Sequence, residues 1–267
     1  MASPTDRPAH RWAWWALSIG LPAIALVTAA WVAPRIPVSP VAAYVAAFAC
    51  VGASMLGAAR AAPYLRAKHL ALLIAPAVVL AIVGATRPPI LLAAPLVTAS
   101  LLLAGTTAGG VVGGAIQRAG HLIVVAIVSS LVDVFSVLHP EGPTQNVLQV
   151  ERAVALLILP WPMLGTSDIR PILGVGDVVF ATLYFAACEK HGLPMIRTAT
   201  ALVIALALTM LTVLVTGIGI PALPFFGAAI VLAHPRARRL EGKERKQALF
   251  GVLFLAALIG LLFALRS

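Results

Sequence analysis

Long apolar runs joined by short polar connections dominate this chain. Most runs are about twenty residues long, which matches the hydrocarbon core of a bilayer, and they lack the alternation typical of barrel strands. We therefore predict an all-α fold, a polytopic transmembrane helix bundle of about nine spans. The predicted spans are Trp12–Ala33, Pro37–Ala59, His69–Thr86, Pro89–Gln117, Gly120–Leu138, Pro171–Cys188, Ile196–Ile218, Pro221–His234 and Ala248–Leu265.

The distribution of lysine and arginine predicts the orientation of the bundle. With the N-terminus inside, fourteen of the 19 basic residues fall on the cytoplasmic side, as the positive-inside rule requires. Membrane topology therefore accounts for the net charge of +10, and we expect membrane lipid but no nucleic acid as a partner. The alanine-rich style and short loops indicate a prokaryotic cytoplasmic membrane.

Two of the runs have internal features that affect helix packing. In the third run, Pro76 is expected to produce a kink. The fourth run carries Gly105, Gly109 and Gly113 at intervals of four residues, and such small residues let helix backbones approach closely. This run is longer than a bilayer requires, so it either tilts or breaks, and we count it as one span because dividing it would disturb the charge distribution.

Two aspartates interrupt the apolar runs, Asp133 in the fifth and Asp177 in the sixth. A carboxyl group near the bilayer centre costs about 3 kcal/mol, so it is retained mainly where it has a function. Each aspartate lies six residues from the outer end of its predicted helix, and the two helices run in opposite directions. Both carboxyls are therefore expected about 9 Å below the outer surface, where they could face each other.

Two neighbouring carboxyls share a proton and can carry out acid–base chemistry without a metal. The ionised member activates a water, and the protonated member donates to the carbonyl oxygen and then to the leaving amine. The histidines and cysteines show no ligand spacing, so we expect neither a metal nor another cofactor. From the residues alone, proton or ion transport by an aspartate relay and a buried, protonated aspartate beside packing glycines stay open as alternatives.

Several motifs resemble those of the presenilin and signal peptide peptidase family of intramembrane aspartic proteases. Gly174-Val175-Gly176-Asp177 looks like the family's GxGD signature, and Pro221-Ala222-Leu223 matches its PAL motif. Asp133 fits the first catalytic aspartate of the family. The resemblance implies that Asp133 and Asp177 are catalytic, that Gly174, Gly176 and the PAL residues position the substrate, and that the substrates are transmembrane peptides or proteins.

The chain also departs from that family. Val132 stands where the family usually has tyrosine, four rather than five helices precede Asp133, and a ninth helix follows the PAL helix. The prepilin peptidases, which also use a GxGD aspartate, are a second protease alternative. They typically have a lysine soon after that aspartate and work at the cytoplasmic face, whereas Val178–Leu183 contains no lysine and the aspartates map to the outer face.

A short apolar stretch, Ala153–Leu159, precedes the GxGD run and is too short to span a bilayer. A transmembrane substrate must unwind before cleavage, and its freed backbone then needs new hydrogen-bond partners. We predict that this stretch, with Leu156 and Leu157 at its centre, is an extended strand that pairs with the substrate, and that Pro160 ends it. The PAL residues are expected to hold the substrate's other side.

These predictions divide the chain into three regions. Residues 1–119 form the first four helices, residues 120–235 form the catalytic core with both aspartates and the PAL helix, and residues 236–267 form a basic loop and an additional helix.

Overall fold

The computed structural model describes residues 8–239, except Tyr64 and Glu141, together with the single residues Lys246 and Leu253. The predicted ninth span, Ala248–Leu265, therefore lies outside the described residues apart from Leu253.

Ten α-helices and one two-stranded antiparallel sheet make up the regular structure of the described residues. Three short 3₁₀ segments, Ala33–Arg35, Ala67–Leu73 and Pro235–Arg238, flank the helices. The helices and strands are α1 Pro8–Val32, α2 Pro40–Ala61, α3 Ile74–Thr86, α4 Ile90–Ala115, α5 His121–Leu138, α6 Pro143–Leu148, α7 Glu151–Leu157, β1 Ile158–Pro162, β2 Ile169–Gly174, α8 Val175–Lys190, α9 Met195–Thr216 and α10 Leu223–Ala233.

Six of the described helical segments are long and apolar enough to cross a membrane. They contain α1, α2, α3 with its preceding 3₁₀ turn, α4, α5 and α9, and they confirm the predicted helices in these six places. Two further helices are shorter, α8 with 16 residues and the apolar α10 with 11. The protein is thus mostly helical with several membrane-spanning candidates, while the total of nine spans stays a prediction.

The predictions for the third and fourth runs can be compared with the structure directly. The third run is 3₁₀ over Ala67–Leu73 and becomes α-helical at Ile74, so its change of geometry lies just before Pro76. The fourth run is one unbroken helix of 26 residues despite Pro95 within it, as predicted.

The chain forms two compact units, which are described separately. The first comprises Met1–Ala115 and Glu151–Ala186. Within it α4 packs against α1, α2, α3 and β1. Half of the most apolar part of α4 is buried, and Trp15 Nε1 donates to Thr106 Oγ1 of this helix over 3.0 Å.

The predicted glycine face of α4 packs against α8 in this unit. A Cβ added at Gly105 would lie 2.6 Å from Val178 Cγ1, and one added at Gly113 would lie 2.5 Å from the carbonyl oxygen of Leu183. At Gly109 an added Cβ would overlap the carbonyl oxygen of Val179. The three glycines therefore let α4 contact the backbone of α8 directly, which confirms close packing as their role.

The second unit comprises Ile116–Val150 and Ala187–Ser267. In its described part α10 packs against both α5 and α9. Buried polar contacts join the ends of these helices: His234 Nε2 and Thr198 Oγ1 lie 2.9 Å apart, linking the end of α10 to the first turn of α9.

The sixth predicted span begins four residues later than predicted. Pro171–Gly174 belongs to strand β2, and α8 starts at Val175. Proline disfavours helical backbone in the residue before it, which favours an extended Arg170. Asp177 is consequently the third residue of its helix and not six residues inside it, so the distances from the helix ends no longer predict that the two carboxyls lie at the same depth.

The predicted substrate-pairing strand is also wrong in its position. Leu156 and Leu157 lie in helix α7, because Glu151-Arg152-Ala153-Val154-Ala155-Leu156-Leu157 is rich in strong helix formers and starts with an acidic residue that suits the helix dipole. The extended segment starts only at Ile158, and Pro160 lies inside it rather than at its end. Proline explains the change of structure, since its ring excludes a continuing helix.

Candidate functional site

Asp133 lies on α5 and contacts the start of α10. Its Oδ2 accepts a hydrogen bond from the backbone N–H of Leu223 over 2.9 Å, and the backbone N–H of Ala222 also interacts with this carboxyl. The structure therefore brings the first predicted catalytic aspartate together with two residues of the predicted PAL motif.

The sequence around Leu223 explains why α10 needs this partner. The first N–H groups of a helix have no acceptor within the helix, and the N-cap residue Ala222 has no side-chain oxygen to supply one. Pro224 has no N–H, which removes one of the groups that need a partner. The Asp133 carboxyl supplies an acceptor from another helix, and its negative charge would suit the positive end of α10.

A glycine keeps α5 and α10 close enough for this contact. A Cβ at Gly227 would lie 2.8 Å from the Cβ of Ala126 and 3.1 Å from its Cα. Ala126 precedes Asp133 on α5 whereas Gly227 follows Leu223 on α10, so the two helices run antiparallel. This backbone-to-backbone approach positions the first turn of α10 beside Asp133.

Asp177 has a corresponding role at the start of α8. Its Oδ2 accepts a hydrogen bond from the backbone N–H of Gly174 over 3.2 Å. An acidic side chain at the third helical position that reaches back to the N-cap amide is one half of a capping box. The GxGD sequence thus has a local structural function, because the Asp177 side chain caps the start of α8.

The packing of the described residues does not require the two glycines of the motif. Among these residues, no heavy atom lies within 4 Å of a Cβ added at Gly176, and the nearest atom to one at Gly174 is Asp177 Oδ2 at 3.7 Å. Neither residue has the positive φ that favours glycine. Gly176 is exposed, so the missing side chain leaves open space beside the first turn of α8.

A β-hairpin leads directly into this turn. Strands β1 and β2 pair antiparallel, with Ile158 opposite Gly174 and Trp161 opposite Arg170. The pairing is irregular between Leu159 and Pro160, so Ile172 has no opposite residue. The N–H of Gly165, in the hairpin loop, donates to the carbonyl of Ala33 over 2.8 Å and ties the loop to the end of α1.

The two strands differ in their exposure. In β1, Leu159, Trp161 and Pro162 are buried, and the strand packs against α1, α2 and α4. In β2, Arg170 and Pro171 are exposed. The second strand also packs against α2, and its exposed residues lie shortly before the GxGD turn.

The hairpin and the contact between Asp133 and α10 are the features that sequence reasoning missed. A signal for the hairpin was present: proline-containing apolar segments flank the polar loop Gly165-Thr166-Ser167-Asp168, a pattern typical of two strands and a turn. The Asp133 contact had no local signal, because its two partners are separated by 90 positions in the sequence.

The remaining predicted residues and groups are placed as follows. Pro221, which begins the predicted PAL motif, lies two residues before α10 in an irregular segment. Within the described part of the chain no three His, Cys, Asp or Glu side chains come together as a metal site. Asp133 belongs to the second unit, and Asp177 belongs to the first.

Comparison with known proteins does not assign the chain to a family. No protein-family model matches it, and no curated protein matches it either.

Proposed function

We propose that this protein is an intramembrane aspartic endopeptidase that hydrolyses peptide bonds within transmembrane segments, with Asp133 and Asp177 as its catalytic pair. The proposal extends the resemblance of the GxGD and PAL motifs to the presenilin and signal peptide peptidase family. It includes a core like that of this family, located in a cell membrane, and substrates that resemble signal peptides or other membrane-spanning segments.

The contact between Asp133 and the PAL segment is the observation that carries the proposal. Asp133 and the PAL residues Ala222 and Leu223 are predicted from two separate parts of the sequence to belong to one site. The hydrogen bond from the Leu223 N–H to Asp133 Oδ2 joins them. Two motifs that share a site in a protease family are thus neighbours in this chain, which supports a common role.

The chemistry requires the two carboxyls to share one proton. The ionised aspartate takes a proton from a water, which attacks the scissile carbonyl carbon, while the protonated aspartate donates to the carbonyl oxygen. When the tetrahedral intermediate collapses, the C–N bond breaks and the amine leaves with a proton from the pair. The hydrogen bond from the Leu223 N–H fixes the position of the Asp133 carboxyl beside the start of α10.

The open space at Gly176 supports a close approach by a substrate backbone. A glycine that neither packing nor φ requires leaves room beside Asp177 that any side chain would reduce. We propose that an unwound substrate segment lies there, and that Gly174 and Gly176 position it.

Strand β2, and not the stretch around Leu156 and Leu157, is the strand that we propose pairs with the substrate. Two of its residues, Arg170 and Pro171, are exposed, and the strand ends at the GxGD turn. Proline occupies two of the five positions of β1 but only one of the six of β2, so β2 retains more N–H donors for strand addition. A substrate strand on β2 would lead its scissile bond towards Asp177.

Ile172 provides a specific test of this role. It has no opposite residue in β1, so proline at this position removes an N–H donor while sparing the paired residues of the hairpin. We expect Ile172→Pro to reduce cleavage about fivefold, since the loss of one hydrogen bond between uncharged groups costs about 1 kcal/mol. Ile172→Val keeps the N–H and is the control. Equal cleavage by both variants would refute strand addition at β2.

The function itself can be tested in membranes. Mass spectrometry should find pairs of peptides that adjoin within a predicted transmembrane segment in cells with the wild-type protein, and not in cells with Asp177→Asn. The transport alternative makes the opposite prediction for the purified protein in liposomes, which is proton-coupled flux without peptide products. Flux that depends on Asp177, with no change in the peptides, would refute the protease proposal.

A further inference from the structure

We propose that the second unit binds an anionic phospholipid, with the phosphate in a basic pocket at the ends of α9 and α10 and an acyl chain in the adjoining apolar groove. The site lies apart from both aspartates in sequence, and the proposal does not depend on the protease function.

The pocket has a volume of about 580 Å³, and three arginines line it. Arg197 comes from the first turn of α9, and Arg236 and Arg239 come from the segment that follows α10. All three are exposed, and none of the described residues that line the pocket is acidic. Guanidinium groups bind phosphate oxygens through paired, charge-assisted hydrogen bonds, so this lining suits a phosphate group.

Two other side chains hold the arginine-bearing segment in place. Arg238 donates to the carbonyl oxygens of Val231 and Leu232 over 2.8 and 2.7 Å, at the end of α10. His234 is buried and contacts Thr198 Oγ1 over 2.9 Å. Because these contacts fix the segment on both sides of Arg236, the pocket is built into the fold of the unit and is more than a cluster of surface charges.

An apolar groove continues from the pocket between α9 and α10. Its volume is about 480 Å³, and it shares Arg197 with the pocket. The rest of its lining is almost entirely apolar and includes Ile204, Ala229 and Leu232. A free phosphate has no apolar part that could occupy such a groove. A phospholipid has a charged phosphate next to a hydrocarbon chain, which matches a basic pocket next to an apolar groove.

The position along the helices fits a lipid headgroup as well. The pocket lies where α9 begins and α10 ends, at the ends of two apolar helices, which is the level of the headgroups for a helix that enters a bilayer. The predicted orientation puts these ends on the cytoplasmic side, where anionic lipids are attracted to basic residues.

Thermal unfolding of the purified full-length protein in detergent, with added lipid, tests the proposal. Phosphatidylglycerol should raise the melting temperature more than phosphatidylcholine with the same acyl chains or glycerol phosphate at the same concentration. Arg197→Gln and Arg236→Gln should each weaken the apparent affinity for phosphatidylglycerol about tenfold, as expected for the loss of a charge-assisted hydrogen bond. Arg60→Gln, an exposed arginine of α2 in the other unit, is the control for the loss of one charge.

A second variant separates a lipid from a free phosphate. Ala229→Leu fills part of the groove without changing the arginines, so it should weaken phosphatidylglycerol binding and leave the response to glycerol phosphate unchanged. Equal stabilisation by glycerol phosphate and the lipid, equal effects of the two lipids, or an equal loss of affinity in Arg60→Gln would each overturn the proposal.

Discussion

Gly109 on α4 is where the packing of the GxGD helix can be tested most sharply. An alanine Cβ at this position would overlap the carbonyl oxygen of Val179 and lie 2.8 Å from Thr182 Cβ. Non-bonded carbon atoms prefer about 3.5–4.0 Å, so the contact with Thr182 alone is short by about 1 Å. The overlapping oxygen belongs to the backbone of α8 and cannot rotate away, so α4 and α8 must separate.

The expected cost follows from these contacts. Overpacking a close interface usually costs about 1–3 kcal/mol, and separation of the helices also weakens the contacts at Gly105 and Gly113. The gain in helix propensity from glycine to alanine, about 1 kcal/mol, offsets part of this cost. We expect Gly109→Ala to lower the free energy of unfolding by about 1–3 kcal/mol.

The matched control is Gly57→Ala on α2. Gly57 is also helical, but no heavy atom of the residues that the structure describes lies within 4 Å of a Cβ at this position. The same chemical change should therefore be neutral or slightly stabilising there. Thermal or denaturant unfolding of both purified variants in one detergent provides the comparison. A Gly109→Ala protein as stable as Gly57→Ala would refute the direct backbone contact between α4 and α8.

Activity gives a second measurement on the same variant. Val179 lies two residues after Asp177, so a displacement of α8 moves the proposed catalytic carboxyl. A misplacement of about 1 Å can reduce catalysis about a hundredfold. We expect Gly109→Ala to lose more activity than its loss of stability explains, and Gly57→Ala to keep full activity.

Two further predictions concern the second unit. Asp133→Ala should destabilise the protein by about 1 kcal/mol, because α10 loses its capping acceptor. Asp133→Asn keeps an acceptor for the Leu223 N–H, so its free energy of unfolding should be close to that of the wild type. Equal stability of the two variants would refute the capping role. Burial, together with the charge of Arg197, lowers the pKa of His234. Below about pH 6.5 the unfolded state therefore binds more protons than the folded state, so the free energy of unfolding should decrease as the pH drops. Melting temperatures of His234→Gln should fall less than those of the wild type between pH 7 and pH 5, and identical pH profiles would contradict this prediction.

Membrane-spanning helices were predictable because the bilayer requires long apolar segments. Helix α4 illustrates this. The length of its apolar run predicted the helix, and the spacing of Gly105, Gly109 and Gly113 predicted the face that packs against another helix. These signals are local and repeat along the helix, so they can be recognised in the sequence without knowing which elements are its neighbours.

The segment between α5 and α8 was harder to predict because apolar character does not specify its structure there. Leu156 and Leu157 are helical, whereas Ile158 begins a strand, and the difference comes from helix propensity and proline positions. Asp177 could be selected as a site residue, but its capping of Gly174 depends on where α8 begins. The contact of Asp133 with Leu223 is a tertiary contact between residues far apart in the sequence, which a single sequence does not reveal.

The most direct test of the proposed catalytic pair compares single and double variants of the purified protein. The substrate is a peptide identified by its cleavage in membranes, and the variants are Asp133→Asn, Asp177→Asn and the double substitution. If the two carboxyls act as one unit, each single variant should lose as much activity as the double variant while remaining folded. Substantial cleavage by either folded single variant would contradict the account.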